Sequence, residues 1–115
     1  MQSFALFAFN GDPLCFVHVL LNALYFHEKG YNVRVVLEGT SVKLVPELEN
    51  STFWLHPLWS RARQADVIAG VCHACAQKLG TLEASKTAQL SLLADMSGHA
   101  SMALFVQNGF TIITF

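Results

Sequence analysis

Charge is scarce in this chain. Only 13% of its 115 residues are charged, with Lys+Arg 7 against Asp+Glu 8 and a formal net charge of -1. There is no basic stripe and no run of like charge, so the electrostatic footprint of nucleic-acid binding is missing and no direct nucleic-acid partner is expected. No apolar run approaches the roughly 20 residues needed to cross a bilayer, so no membrane span is expected. Cysteines number only 3. That odd count, with no signal peptide ahead of Met1-Gln2-Ser3, argues against a disulfide framework and predicts a reducing, cytoplasmic setting. The sequon Asn50-Ser51-Thr52 then reads as chance. No internal repeat or low-complexity segment interrupts the chain, and its length suits a single domain over residues 1–115.

Apolar residues, by contrast, make up 53% of the chain. That is high for one small soluble domain. Part of this surface is expected to face another subunit, giving a homo-oligomer.

The apolar pattern alternates between strand and helix. Residues 4–9 (FALFAF) form an unbroken apolar run, the mark of a central strand buried on both faces. Asn10-Gly11-Asp12-Pro13 closes it, with Asp12 as helix N-cap and Pro13 at the first helical position. The spacing predicts a helix over 13–29, stopped by Gly30. Cys15, His18, Asn22, Tyr25 and Lys29 share one stripe of it, and nearly all else is apolar. Such a helix is expected to be covered on two sides, by the sheet and by a second subunit. Residues 31–37 (YNVRVVL) predict a second strand. Residues 41–48 predict short or broken helical turns around Pro46, and 57–65 a helix with Leu58, Trp59 and Ala62 inward. Trp54 and Trp59 read as core or interface anchors. A short helix over 81–88, a fourth strand over 89–93, a loop over 94–99, a helix over 100–108 and a last strand over 110–115 (FTIITF) complete the pattern. The expected fold class is α/β: a three-layer α/β/α sandwich with a mostly parallel five-stranded sheet.

The stretch Asp66–Gly80, DVIAGVCHACAQKLG, carries the chemistry. Val67, Ile68 and Val71 predict a buried strand, and Gly80 stops a following helix. Cys72-His73-Ala74-Cys75 sits at the junction. Unpaired N–H groups at a helix start favour a thiolate, the reactive form of cysteine. Cys72 is therefore expected to be an exposed nucleophile of lowered pKa, with Cys75 as its partner. In parallel sheets, ligands gather beyond the carboxyl ends of the strands. The loops after strands one to four then place Asn10, Asp12, Glu38, Ser41, Cys72, Cys75, Ser97 and His99 on one rim. His73 and His99 are the candidates for moving a proton near neutral pH.

These segments together resemble the DsrE/DsrF-like family of small sulfur-relay proteins. The NGDP turn after the first strand, VRVVLEG, Cys72 after an apolar strand with Gly80 closing the next helix, the late SGH and the aromatic last strand carry the likeness. The resemblance implies a three-layer α/β/α fold, cytoplasmic homo-oligomers (trimers or hexamers), and Cys72 carrying sulfane sulfur as a persulfide. Sulfur-donor and sulfur-acceptor proteins are the implied partners, and no cofactor or metal is implied. Cys75 departs from many members of that family. It keeps open a CxxC dithiol/disulfide redox protein using Cys72 and Cys75. A zinc set drawn from Cys15-Phe16-Val17-His18 and Cys72-His73-Ala74-Cys75 is a further alternative. Phe16 and Val17 read as packed helix and count against it. A non-catalytic subunit of a sulfur-relay complex is the remaining one.

Overall fold

The computed structural model describes residues 2–115. Five strands form the sheet: β1 Ser3–Ala8, β2 Asn32–Leu37, β3 Ile68–Cys72, β4 Leu92–Leu93 and β5 Phe110–Thr114. Their order is β4-β3-β2-β1-β5 and every pairing is parallel. Between them run α1 Pro13–Glu28, a 3-10 turn Gly39–Leu44, α2 Val45–Leu48, α3 His56–Gln64, α4 His73–Lys78, α5 Leu82–Thr87 and α6 Ala103–Gln107. The fold is thus α/β, as the alternating pattern predicts, with a sheet that is parallel throughout.

The chain steps outward from β1 through β2 and β3 to β4, then returns across the sheet to β5. Parallel crossovers keep one hand, so the outward and return connections lie on opposite faces. The side chains bear this out. Leu6 and Ala8 of β1 and Val33, Val35 and Leu37 of β2 pack with Phe16, Val19, Leu20 and Ala23 of α1 and with Trp59 and Ala62 of α3. Ala5, Phe7, Val36 and Cys72 face the other way, under Ala100, with Phe105 of α6 against them. Alternation along each strand supplies both faces, which is why β1 from Phe4 and the Val35–Leu37 end of β2 read as apolar runs. The second layer is thin: α6 has five residues and none is fully buried.

Local chemistry sets the boundaries. Asp12 Oδ1 accepts the Leu14 N–H at 2.9 Å and starts α1. Gly30, Gly80 and Gly109 take positive φ just after α1, α4 and α6, as stop residues do. Pro46 opens α2, whose four residues follow the 3-10 turn, so the segment is broken as expected. Two elements are shorter than the sequence suggests. The fourth strand keeps only Leu92–Leu93 of 89–93, because Gln89 is left-handed (φ 60) and turns the chain off the sheet line. The helix expected over 100–108 begins at Ala103, because Ser101 is held by Asp95 and its Oγ accepts the Leu104 N–H at 3.3 Å.

Gly70 fixes how closely β3 and the segment before β4 approach. A Cβ there would collide with the Ser91 carbonyl oxygen and stand 3.1 Å from Leu93 Cγ. Of the two tryptophans, Trp59 is buried and gives its indole N–H to Glu49 at 2.6 Å, whereas Trp54 is 54% exposed. The polar stripe of α1 (Cys15, His18, Asn22, Tyr25, Lys29) is exposed, as are Leu14 and Leu21 beside it. No helix among the described residues is long and apolar enough to cross a membrane.

Candidate functional site

Parallel strands end on one rim, and register decides which loops meet there. Leu37 pairs with Val71, and Cys72 pairs with Leu93. Glu38, the residue after Leu37, therefore leaves the sheet beside Cys72, and the loop after β4 leaves on its other side. Cys72 is both the last residue of β3 and the N-cap of α4. Cys75 follows in the first turn of α4, so a strand end and a helix start present two sulfurs to one place.

His99 arrives from a tight hairpin. Met96 and His99 exchange both backbone hydrogen bonds at 2.9 Å, with Ser97 (φ 50) and Gly98 (φ 90) between them. Two positive φ values at the centre of a two-residue turn suit a small residue followed by glycine. The turn is docked, because the Gly98 carbonyl accepts the Ala74 N–H at 2.9 Å and so satisfies an orphan donor of α4. Asp95 braces the other side: its Oδ2 accepts the Ser101 hydroxyl at 2.5 Å and its Oδ1 the Ser101 N–H at 3.3 Å. The Ser101 contacts hold the Asp95 carboxyl below its ordinary range.

So placed, His99 Nδ1 lies 3.4 Å from Cys72 Sγ and 3.9 Å from Cys75 Sγ. All three atoms fall within 4.8 Å of one another. The Gly39 N–H donates to Cys75 Sγ at 3.3 Å. Both cysteines are free thiols. Burial pushes the Cys75 thiol above its ordinary pKa. The hydrogen bond and charge of Cys72 and the charge of Glu38 push the same way, and the Gly39 amide opposes them. Glu38 is likewise raised by burial, with His99 pulling it back. Its Oε1 is buried and has no hydrogen-bond partner.

The expectation of an exposed nucleophile at Cys72 is overturned. Cys72 has 0% of its surface exposed, whereas Cys75 is half-buried and His99 exposed. The cause is strand parity. β3 runs through residue 72, so its side chain lies on the second sheet face with Phe7, Val36 and Ala100. The Cys15–His18 zinc set is also ruled out by placement. Both residues are exposed on α1, whose packed side covers the first face, whereas Cys72 lies on the second.

The remaining candidates divide. Glu38 lies with the thiols and His99. Ser41 is buried and ties the strand ends together: its Oγ donates to the Ala8 carbonyl at 2.6 Å and accepts the Glu38 N–H at 3.1 Å. Ser97 is exposed at the hairpin tip, and His73 is half-buried at the first position of α4, outside the Cys72–Cys75–His99 group. Asn10 and Asp12 line a separate open cleft of about 400 Å³ with Gly11, Thr40, Lys43 and Glu47. The Gly39–Thr40 turn separates it from the thiols: Gly39 faces Cys75, while the Thr40 hydroxyl accepts the Gly11 N–H at 2.9 Å. Sequence reading missed the Gly39 amide and the Asp95–Ser101 brace. Glycine after a strand end signals the first only as a class, and the second has no local signal.

The cluster can do three things chemically. Two adjacent thiols can close a disulfide, one thiol can take up a sulfur atom, or two thiolates and an imidazole can bind a cation. A histidine within reach of both sulfurs can move the proton that each requires.

No protein-family model matches the chain, and no solved structure does. Among curated proteins it is similar to the uncharacterized protein MJ0733 of Methanocaldococcus jannaschii, at 34% identity over 97 residues, 84% of this chain and 77% of that one. The chain therefore belongs to the same protein family as this archaeal protein.

Proposed function

We propose that this protein is a small sulfur-relay carrier, sulfurtransferase-like in its chemistry, that holds sulfane sulfur as a cysteine persulfide, in keeping with its resemblance to the DsrE/DsrF-like family. One observation carries the reading: His99 Nδ1 reaches both sulfurs of the CxxC pair, at 3.4 and 3.9 Å, on the exposed side of the cluster. A thiol with no exposed surface cannot meet a donor's persulfide, so the receiving role moves from Cys72 to Cys75.

The Cys75 thiolate attacks the outer sulfur of a donor persulfide, R–S–SH. The donor's S–S bond breaks, R–S⁻ leaves, and Cys75–S–SH forms. The acceptor's thiolate then attacks that same outer sulfur and releases Cys75 as a thiolate. Neither step changes the total oxidation state. His99 takes the Cys75 proton before attack and returns it afterwards. Cys72 gives the site a second outcome. If its sulfur attacks Sγ of Cys75–S–SH, a Cys72–Cys75 disulfide forms and the outer sulfur leaves as HS⁻. The dithiol reading is favoured by the same spacing; in it the pair reduces a substrate disulfide by thiol–disulfide exchange, closing the Cys72–Cys75 bond as the substrate leaves as two thiols.

Donor and acceptor proteins in the cytoplasm and a homo-oligomeric assembly, trimer or hexamer, belong to this reading. The exposed apolar side chains of α1, Leu14 at 68% and Leu21 at 47%, support the assembly. Intact-mass measurement after incubation with glutathione persulfide tests the carrier. One added sulfur atom is expected on the wild type and on Cys72→Ala, and none on Cys75→Ala. No addition to any of the three refutes a carrier, and loss of two hydrogen atoms from the wild type, with no sulfur added to Cys72→Ala, selects the dithiol reading.

A further inference from the structure

The thiols and His99 satisfy a geometric condition that sulfur transfer does not impose. In a tetrahedral zinc site, bonds of about 2.3 Å to sulfur and about 2.0–2.1 Å to imidazole nitrogen set S···N edges of about 3.6 Å. The same bond lengths set S···S edges of about 3.8 Å. Here the two S···N separations are 3.4 and 3.9 Å, and all three donor atoms lie within 4.8 Å. One point can therefore sit at a bonding distance from all three with small side-chain adjustment. The three donors stand on a strand end, a helix start and a docked hairpin, which hold them without a ligand.

Two further observations point to a cation. The Gly39 N–H to Cys75 Sγ bond, 3.3 Å, is the kind of outer contact that holds a coordinating thiolate in place. The Glu38 carboxylate, beside Cys75 and His99, buries an oxygen with no hydrogen-bond partner. A divalent cation in the cluster places positive charge beside that unpartnered oxygen. We propose that Cys72, Cys75 and His99 form a three-ligand site for a soft divalent cation, Zn²⁺ foremost, with the fourth position open on the exposed His99 side. This goes beyond the carrier reading and does not need it. The two states exclude each other, because the metal occupies the lone pairs with which the thiolates attack sulfur.

The test uses the full chain, reduced, chelator-stripped and free of any sulfur donor. Cobalt(II) is added anaerobically as a spectroscopic probe, and zinc is titrated against a chromophoric chelator. One metal per chain is expected, with thiolate-to-cobalt charge-transfer bands that zinc abolishes. Changes in outer contacts alone cost about 10- to 100-fold in metal affinity, so His99→Ala and Cys75→Ser, which each remove a ligand, are expected to cost about 100-fold or more. Cys15→Ser is expected to bind as the wild type does. His99 is exposed on a hairpin tip, so His99→Ala keeps the fold and decides the matter. Absent thiolate–cobalt bands, or zinc affinity unchanged in His99→Ala, overturns the site. Sulfur loading is read separately, with and without zinc. If loading fails in both, the carrier falls while the cobalt spectrum still decides the metal.

Discussion

Gly70→Ala probes the geometry on which the site depends. Its new methyl group has no room, since the Ser91 carbonyl oxygen occupies its place and Leu93 Cγ stands 3.1 Å away. Overpacking of this kind costs about 1–3 kcal/mol. For a chain this long, each kcal/mol corresponds to about 4 °C in Tm, so the expected loss is about 4–12 °C. The displacement has a direction as well as a cost. Val71 N–H donates to the Ser91 carbonyl at 2.9 Å, and the chain from Ser91 runs through β4 to the His99 hairpin. Pushing Ser91 outward therefore moves His99 away from the sulfurs. Circular dichroism reads the Tm, and the NMR shifts of the His99 ring together with the Cys75 alkylation rate read the site. Gly80→Ala is the control. It meets nothing within 4 Å, but φ +81 makes it strained by about 1–2 kcal/mol. It is expected to lower Tm without moving the His99 signal. If Gly70→Ala keeps both the Tm and the His99 signal of the wild type, the close approach of β3 and Ser91 is refuted.

Three further outcomes follow from the packing and charges. Phe16→Ala removes a fully buried ring that lies against Trp59, and is expected to cost about 3–5 kcal/mol in urea unfolding. Because burial first, and Cys72 and Glu38 after it, raise the Cys75 pKa, its iodoacetamide rate is expected to keep climbing above the pH at which an ordinary thiol levels off. Glu38→Gln removes one of those charges and is expected to shift that rise to lower pH. Asp95 has a carboxyl pKa lowered by Ser101. A lowered acid stabilises the fold above its unfolded pKa and loses that contribution as pH falls through its folded pKa. Tm is therefore expected to fall more steeply with acid in the wild type than in Asp95→Asn.

The unbroken apolar run at residues 4–9, the β-branched pattern at 31–37, the Asp12-Pro13 start and the glycine stops carried most of the architecture. They suffice because each works within one element. Parallel order then carried the meeting of Glu38, Cys72, Cys75 and His99, since every strand ends on one rim. The depth of Cys72 was not legible. It depends on β3 extending to residue 72 itself, and a shift of one residue exchanges rim for sheet face. Nor was the separation of Asn10 and Asp12 from the thiols, which one Gly39–Thr40 turn produces through its contact with Gly11. At Cys75, burial and neighbouring negative charge outweigh the amide donor.

The stretch from Ala94 to Gln107 carries the imidazole on its hairpin and provides, through Ala100 and Phe105, the roof over Cys72. Those two duties are mechanically joined. Any excursion that lifts this flap bares the deeper sulfur and, in the same motion, takes away its base. The inner thiol is thus guarded twice by one piece of chain.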